Sequence, residues 1–223
     1  MPSFDFHRKC MFDGKIGLWP FVEEYVAKRN SKNRRKGTML TVNMEVVNRG
    51  VYRQFLIDCV IPAIKTKWPA RDRHKTIYIQ QDNAKPHVFP DDEAIVAAGQ
   101  SDGWDIRLRF QPPNSPDCNV LDLGYFRPIQ SLQYEQEIYG TDDLIAAVTA
   151  AFATMSAKKL NHVFLSLQSV LECIMGEFGD NGYKLPHTAK VKLERQGKLP
   201  LSITCDSTVY HSAVAFLALS MST

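Results

Sequence analysis

The stretch KTIYIQQDNAKPH, residues 75–87, decides the fold of this chain. The segment around Tyr78 is β-branched and aromatic, which predicts a strand that ends at the acid Asp82. The letters NAKP that follow are typical of a turn. Ligands of α/β proteins bind in the crevice beyond the carboxyl ends of the strands. The sequence therefore predicts that Asp82 faces a ligand-binding crevice.

Outward from this stretch, strands alternate with helices and then give way to helices alone. The predicted strands cover residues 16–22, 39–47, 75–82 and 104–110. The predicted helices cover residues 51–64, 92–100, 120–137, a segment starting at 141, residues 158–177 and residues 208–219. Pro62 should bend or restart the first helix, and Trp68-Pro69 should end it. This order predicts an α/β core over residues 1–140, followed by a helical part of the same domain over residues 141–223.

The composition excludes several classes of protein. With 223 residues, 44% of them hydrophobic and 23% charged, the chain has the usage of one globular domain or at most two small ones. No apolar run reaches the roughly 20 residues that a membrane span needs, so we expect no membrane partner. The five cysteines are widely spaced and lack a C-x-x-C pair, which is typical of free thiols and argues against a disulfide framework.

The positive charge is concentrated in one short run. The net charge is only +3, but six cations fall within nine residues without an acid between them: Lys28, Arg29, Lys32, Arg34, Arg35 and Lys36. The run lacks periodicity and is predicted to be a loop. It could contact phosphates of DNA, serve as a nuclear import signal, or be a solvated loop with neither role.

A second acid, Asp122, lies in NSPDCNVLDLGYF, residues 114–126, after the proline-rich loop QPPNSP. It is predicted to occupy the first turn of a helix. Together with Asp82 it could bind a divalent cation, because Mg²⁺ prefers oxygen ligands and leaves positions for water and phosphate. The structural alternatives are a turn-forming aspartate at Asp82 and a residue favoured by the helix dipole at Asp122.

The two motifs together resemble the mariner-like transposases, specifically the plant and oomycete branch. That family carries a QQDNA-x-x-H block and an NSPD-x-N-x-LDLG-x-F block, with 39 residues between its second and third catalytic aspartates. Asp82 and Asp122 match this spacing. Further matches are FDGKIG at residues 12–17, PAIKTKWP at residues 62–69 and LERQGKLP at residues 193–200, so the resemblance covers about residues 11 to 200.

The resemblance implies a ribonuclease-H-like mixed sheet with flanking helices. Three carboxylates in that family bind two Mg²⁺ or Mn²⁺ ions, which cut DNA at element ends and rejoin it. Asp82 would then be the second metal ligand and Asp122 the third, with Asn83 and His87 as supporting residues. The implied partners are DNA and a second copy in a homodimer, and the implied location is the nucleus.

The sequence departs from the family at its beginning. The family's first catalytic aspartate lies in a D-E-K-W block upstream of FDGKIG; Asp13 belongs to FDGKIG itself, and Asp5 lacks the surrounding motif. The family's helix-turn-helix domains are not found either. We therefore expect the first strands to be missing, the predicted strand at residues 75–82 to have an unpaired edge, and catalysis to be lost.

Two alternatives to this inactive, transposase-derived domain remain open. One is a non-catalytic nucleic-acid-binding or interaction protein that evolved from the remnant. The other is a truncated gene model, whose full product has the first strand and is active.

Overall fold

The computed structural model describes residues 3–32, 34–127, 130–131, 138–186 and 188–220, and it has mixed α/β architecture. Its contacts divide the chain into two compact units. The strand unit comprises Ser3–Phe110 and Pro128–Thr154, and the helical unit comprises mainly Gln111–Arg127 and Met155–Thr223. The boundary expected at residue 140 stays a prediction.

The strands of the described residues form three two-stranded sheets. Two of the sheets are antiparallel, β1 with β2 and β3 with β4; the third is the parallel pair of β5 and β6. The bounds are Ser3–Asp5 for β1, Cys10–Phe12 for β2, Val22–Val26 for β3, Met39–Asn43 for β4, Ile77–Gln81 for β5 and Ile106–Phe110 for β6. In this part of the chain, β5 therefore has one pairing partner, and Gln81 at its end lies opposite Phe110.

Helices pack on the parallel pair in the strand unit and make up most of the helical unit. Their bounds are Arg49–Phe55 for α1, Ile61–Lys67 for α2, Glu93–Gln100 for α3, Val120–Gly124 for α4, Thr141–Thr154 for α5, Ala157–Gly176 for α6, Lys190–Arg195 for α7 and Ser207–Ser220 for α8. A π-helical turn, Leu56–Val60, joins α1 to α2. Pro62, which has no N–H to donate, lies just after this turn at the start of α2, and Trp68 ends that helix as predicted.

The core of the strand unit lies where α2 and α3 pack on the parallel strands. Its buried members are Leu56, Ile61, Ile64, Ile77, Val88, Ile95, Trp104, Ile106 and Leu108. Helix α3 connects β5 to β6 and is capped by Asp92, whose Oδ1 accepts a hydrogen bond from the Ile95 N–H at 3.3 Å. A Cβ atom on Gly99 would lie 2.3 Å from the Ile106 carbonyl oxygen, so only glycine permits this close approach of α3 to β6.

One predicted element is wrong and another is interrupted. The strand expected at residues 16–22 does not form, and β3 begins only at Val22. The ring of Trp19 packs over Gly17, where a Cβ atom would lie 2.5 Å away, so side-chain packing takes the place of strand pairing. The helix expected at residues 120–137 is confirmed in part: residues 120–124, 126–127 and 130–131 are helical, with a break at Tyr125 after Gly124, a poor helix former, and residues 128–129 and 132–137 lie outside the described part. The other predicted strands and helices are confirmed, with shifted boundaries.

Candidate functional site

Asp82 follows β5 directly, at the carboxyl end of the parallel pair. The preceding residue, Gln81, is buried, and its Nε2 donates a hydrogen bond to the Val88 carbonyl oxygen at 2.6 Å. This bond ties the end of the strand to the far side of the turn. The Oε1 atom of Gln81 is buried with no hydrogen-bond partner among the described residues.

The Asp82 carboxylate has one oxygen held by the protein and one that is not. Oδ1 accepts a hydrogen bond from the Ala84 N–H at 2.8 Å, an arrangement typical of an aspartate that begins a turn. The Nδ1 atom of His87 lies 3.0 Å from Oδ1 and 2.7 Å from the Asp82 carbonyl oxygen. No bond to Oδ2 occurs in the described part of the chain, and the side chain is 48% exposed. Oδ2 is therefore accessible to a ligand from solvent.

Helix α1 covers the other side of this turn. The rings of Tyr52 and His87 lie 4.6 Å apart at an interplanar angle of 42°. Burial, together with the nearby charge of Asp82, raises the pKa of Tyr52 and keeps its hydroxyl neutral. Arg49 Nε donates to the His87 carbonyl oxygen at 3.0 Å. Sequence reasoning missed Arg49 as a site residue, because its contacts join segments far apart along the chain.

Asp122 lies in the first turn of α4, as predicted. The helix begins there because the Asn119 side chain accepts a hydrogen bond from the Leu121 N–H at 3.0 Å. Asp122 is exposed, and no hydrogen bond to its carboxylate occurs within the described ranges. The short helix is positioned through its neighbours: Tyr183 Oη donates a hydrogen bond to Asp117 Oδ2 within the helical unit.

The structure brings three of the predicted site residues into one turn, namely Asp82, Asn83 and His87, of which Asn83 is exposed. Asp122 belongs to the helical unit instead. Carboxylate oxygens are suitable ligands for Mg²⁺ or Mn²⁺, so each of the two acids has the chemistry of a metal ligand. Among the described residues, no group of three or more His, Cys, Asp and Glu side chains is arranged to hold a metal ion.

Asp5 has no oxygen left for a ligand. Its side chain is buried in β1, where Oδ1 accepts hydrogen bonds from the His7 and Arg8 N–H groups and Oδ2 accepts one from Ala70. Burial opposes ionisation, but these bonds outweigh it and lower the pKa of Asp5. The structure thus gives Asp5 a local role in holding the chain, which agrees with its lack of a catalytic motif.

The basic run forms the connection between β3 and β4, as the loop prediction required. Backbone hydrogen bonds between Ser31 and Arg34 close its tip. All six of its cations are exposed, and none forms an ion pair with an acid in the described part of the chain. The loop encloses a shallow hollow of about 550 Å³, lined by Asn30, Ser31, Lys32, Arg34, Arg35, Thr38 and Leu40. We call residues 28–36, with β3 and β4, the basic hairpin.

Three further observations bear on the class of protein. All five cysteines are free thiols, as their spacing predicted. Across the described ranges, no helix has the length and apolar character needed to cross a membrane. No family model, curated protein or solved structure matches this chain.

Proposed function

We propose that this chain is a transposase-derived, ribonuclease-H-like domain, descended from an enzyme that cuts and rejoins DNA with Mg²⁺ or Mn²⁺, and that it has lost most or all of that activity. The observation that carries the proposal is the Asp82 carboxylate at the end of β5, with Oδ1 held in the turn and Oδ2 open to solvent. The two motif blocks that resemble mariner-like transposases support it. So does the β5–α3–β6 arrangement, because parallel strands joined by a helix fit a mixed sheet with flanking helices.

In this proposal the residues have separate tasks. Asp82 would bind a cation through Oδ2, while the Ala84 N–H and His87 keep Oδ1 in place. Asp122 would supply a second carboxylate from the start of α4. The bound cations would stabilise the attacking and leaving oxygens of a phosphodiester displacement. Because two carboxylates balance less cation charge than the family's three, we expect cleavage by this chain to be weak or lost.

A plasmid-nicking assay with Mn²⁺ or Mg²⁺ tests the catalytic proposal. In an extended, active form that supplies the third carboxylate, metal-dependent nicking should fall to background in Asp82→Asn and in Asp122→Asn, while DNA binding is kept. The control Asp91→Asn also removes an exposed charge, but outside the site, and should behave as the wild type. Equal nicking by Asp82→Asn and the wild type at saturating metal would contradict the assignment of Asp82.

The second candidate is a non-catalytic nucleic-acid-binding protein, which the basic hairpin favours. Six exposed cations without acidic partners among the described residues can contact phosphates, and each contact makes binding more sensitive to salt. DNA binding that is salt-dependent, without metal-dependent cleavage, would favour this function. Nuclear location and a homodimer remain proposals that accompany both candidates.

The triple variant Arg34→Ala, Arg35→Ala, Lys36→Ala tests the hairpin. If all three side chains contact phosphates, the slope of log K against log salt should fall by roughly 3, since each contact contributes about 0.9. Fluorescence anisotropy of a labelled duplex at several salt concentrations measures this slope. The control triple Lys184→Ala, Lys192→Ala, Lys198→Ala removes the same charge from exposed positions in the helical unit. An equal loss in both triples would show a net-charge effect instead of a hairpin contact.

A further inference from the structure

We propose that one face of α1 is the positioning element for Asp82. In this inference Arg49, Tyr52 and Arg53 hold the loop from β5 to α3, and Arg49 determines how firmly the Asp82 carboxylate is oriented. The inference deepens the proposed function and rests on it only where a metal is involved. Its structural part concerns the metal-free chain.

The three residues share one face because of their spacing. Positions 49, 52 and 53 are separated by three and four residues, which places side chains side by side on a helix. The helix starts where it does because the Asn48 side chain accepts a hydrogen bond from the Val51 N–H at 3.1 Å. The cap therefore fixes where α1 begins, and with it the position of Arg49 beside the loop from β5 to α3.

Arg49 contacts the loop at three points. Its Nε donates to the His87 carbonyl oxygen at 3.0 Å, and its Nη2 lies 3.4 Å from the Lys85 carbonyl oxygen. The guanidinium group also lies over the Phe89 ring, 4.6 Å from its centroid. A planar guanidinium can serve two carbonyls and a ring together, whereas a lysine ammonium is a single compact charge.

The other two residues hold the loop on either side of these contacts. Tyr52 packs on the His87 ring, and His87 in turn lies within hydrogen-bond distance of both the backbone and the carboxylate of Asp82. Arg53 forms an ion pair with Asp92, the residue that caps α3. The loop is thus tied to α1 from Asp82 to the start of the next helix.

Arg49 itself does not bind the Asp82 carboxylate in the contacts above, so it acts through His87 and the turn. It is also exposed, which means that replacing it should leave the core intact. Residues that orient a metal ligand are typically worth about 10- to 100-fold in metal affinity. We expect the conservative variant Arg49→Lys, which keeps the charge, to lose about tenfold in metal affinity, the lower end of this range.

The experiment compares Arg49→Lys with the control Arg71→Lys, an exposed arginine elsewhere in the strand unit. The first readout is the hydrogen-exchange rate of the Ala84 amide in metal-free protein, measured by NMR. This amide is informative because it donates to Asp82 Oδ1. Exchange should become several-fold faster in Arg49→Lys and stay unchanged in the control. The second readout is the Mn²⁺ dissociation constant, measured from the EPR signal of the free ion, which should rise about tenfold.

The outcomes separate this inference from the proposed function. If Arg49→Lys leaves Ala84 exchange unchanged, the positioning role is overturned, whatever the metal does. If Ala84 exchange rises but Asp82→Asn binds Mn²⁺ as tightly as the wild type, Arg49 positions the turn and the metal assignment of Asp82 fails. If Asp82→Asn loses Mn²⁺ and Arg49→Lys keeps the wild-type affinity, the metal assignment stands and the inference that Arg49 positions Asp82 for the metal is overturned.

Discussion

Asp82 and Asp122 are the same residue type, come from one pair of motifs and are both exposed, yet the protein holds them differently. In the proposed arrangement, the orientation of Asp82 depends on the Ala84 N–H, on His87 and, through His87, on Arg49, which lies 38 positions from His87 along the chain. Asp122 has only the start of a short helix capped by the adjacent Asn119. The difference shows that a motif determines where a carboxylate lies along the chain, while tertiary contacts determine how rigidly it is oriented.

The largest expected effect concerns the packing of α3 on β6, in the unit that contains Asp82. In Gly99→Ala the new Cβ would lie 2.3 Å from the Ile106 carbonyl oxygen, a backbone atom that cannot move independently. We expect the free energy of unfolding to fall by about 3 kcal/mol, since overpacking of this kind typically costs 1–3 kcal/mol. Urea denaturation measures it. Gly176→Ala, at a helical glycine with open space around its Cβ position, should change little, and a similar loss in both variants would contradict the close contact.

The next effect concerns the hydrogen bond at Asp117, just before the helix that carries Asp122. Tyr183→Phe removes the hydroxyl that donates to Asp117, and a hydrogen bond to a charged group contributes about 1.5 kcal/mol. Burial, followed by this bond, raises the pKa of Tyr183 above its ordinary value, so the hydroxyl remains a donor at neutral pH. Urea denaturation should show the loss in Tyr183→Phe but not in Tyr210→Phe, whose side chain is half exposed. Equal stability of the two variants would mean that the bond adds nothing.

A smaller effect is expected at the cap of α4. Asn119→Ala removes the oxygen that accepts from the Leu121 N–H, which should cost about 1 kcal/mol, while Asn119→Ser should restore most of it. Circular dichroism during thermal unfolding measures the change. The same variants sharpen the comparison, because Asn119→Ala should leave Ala84 exchange in the Asp82 turn unchanged. Faster exchange there would show that the two carboxylates are coupled.

The smallest effect is expected in acid, at Asp5. Because the folded state lowers the pKa of Asp5, its ionised form stabilises the fold above the unfolded pKa of about 3.9. That contribution is lost as the pH falls through the lower pKa of the folded state. Asp5→Asn should therefore make the free energy of unfolding less dependent on pH below about pH 4. An unchanged dependence, measured by urea denaturation at a series of pH values, would contradict the role of the three backbone hydrogen bonds.

Local patterns predicted most elements around the candidate site. The strands that became β5 and β6, the helix that became α3 and the loop of the basic hairpin follow from periodicity and turn residues, which act between near neighbours. The strand expected at residues 16–22 does not form: the Trp19 ring packs over Gly17, while Ile16 packs against the core and the Phe21 ring against Phe55. Periodicity cannot distinguish that kind of packing from strand pairing.

By itself, then, the sequence determined that Asp82 ends a strand, that Asp122 starts a helix and that six cations share one exposed loop. Only the tertiary structure decided which residues hold Asp82 and why Asp5 has no free oxygen. Arg49 and Tyr52 reach the Asp82 turn, and Ala70 reaches Asp5, from distant parts of the chain. Such contacts depend on how helices and strands pack, and local patterns carry no information about partners that folding brings together.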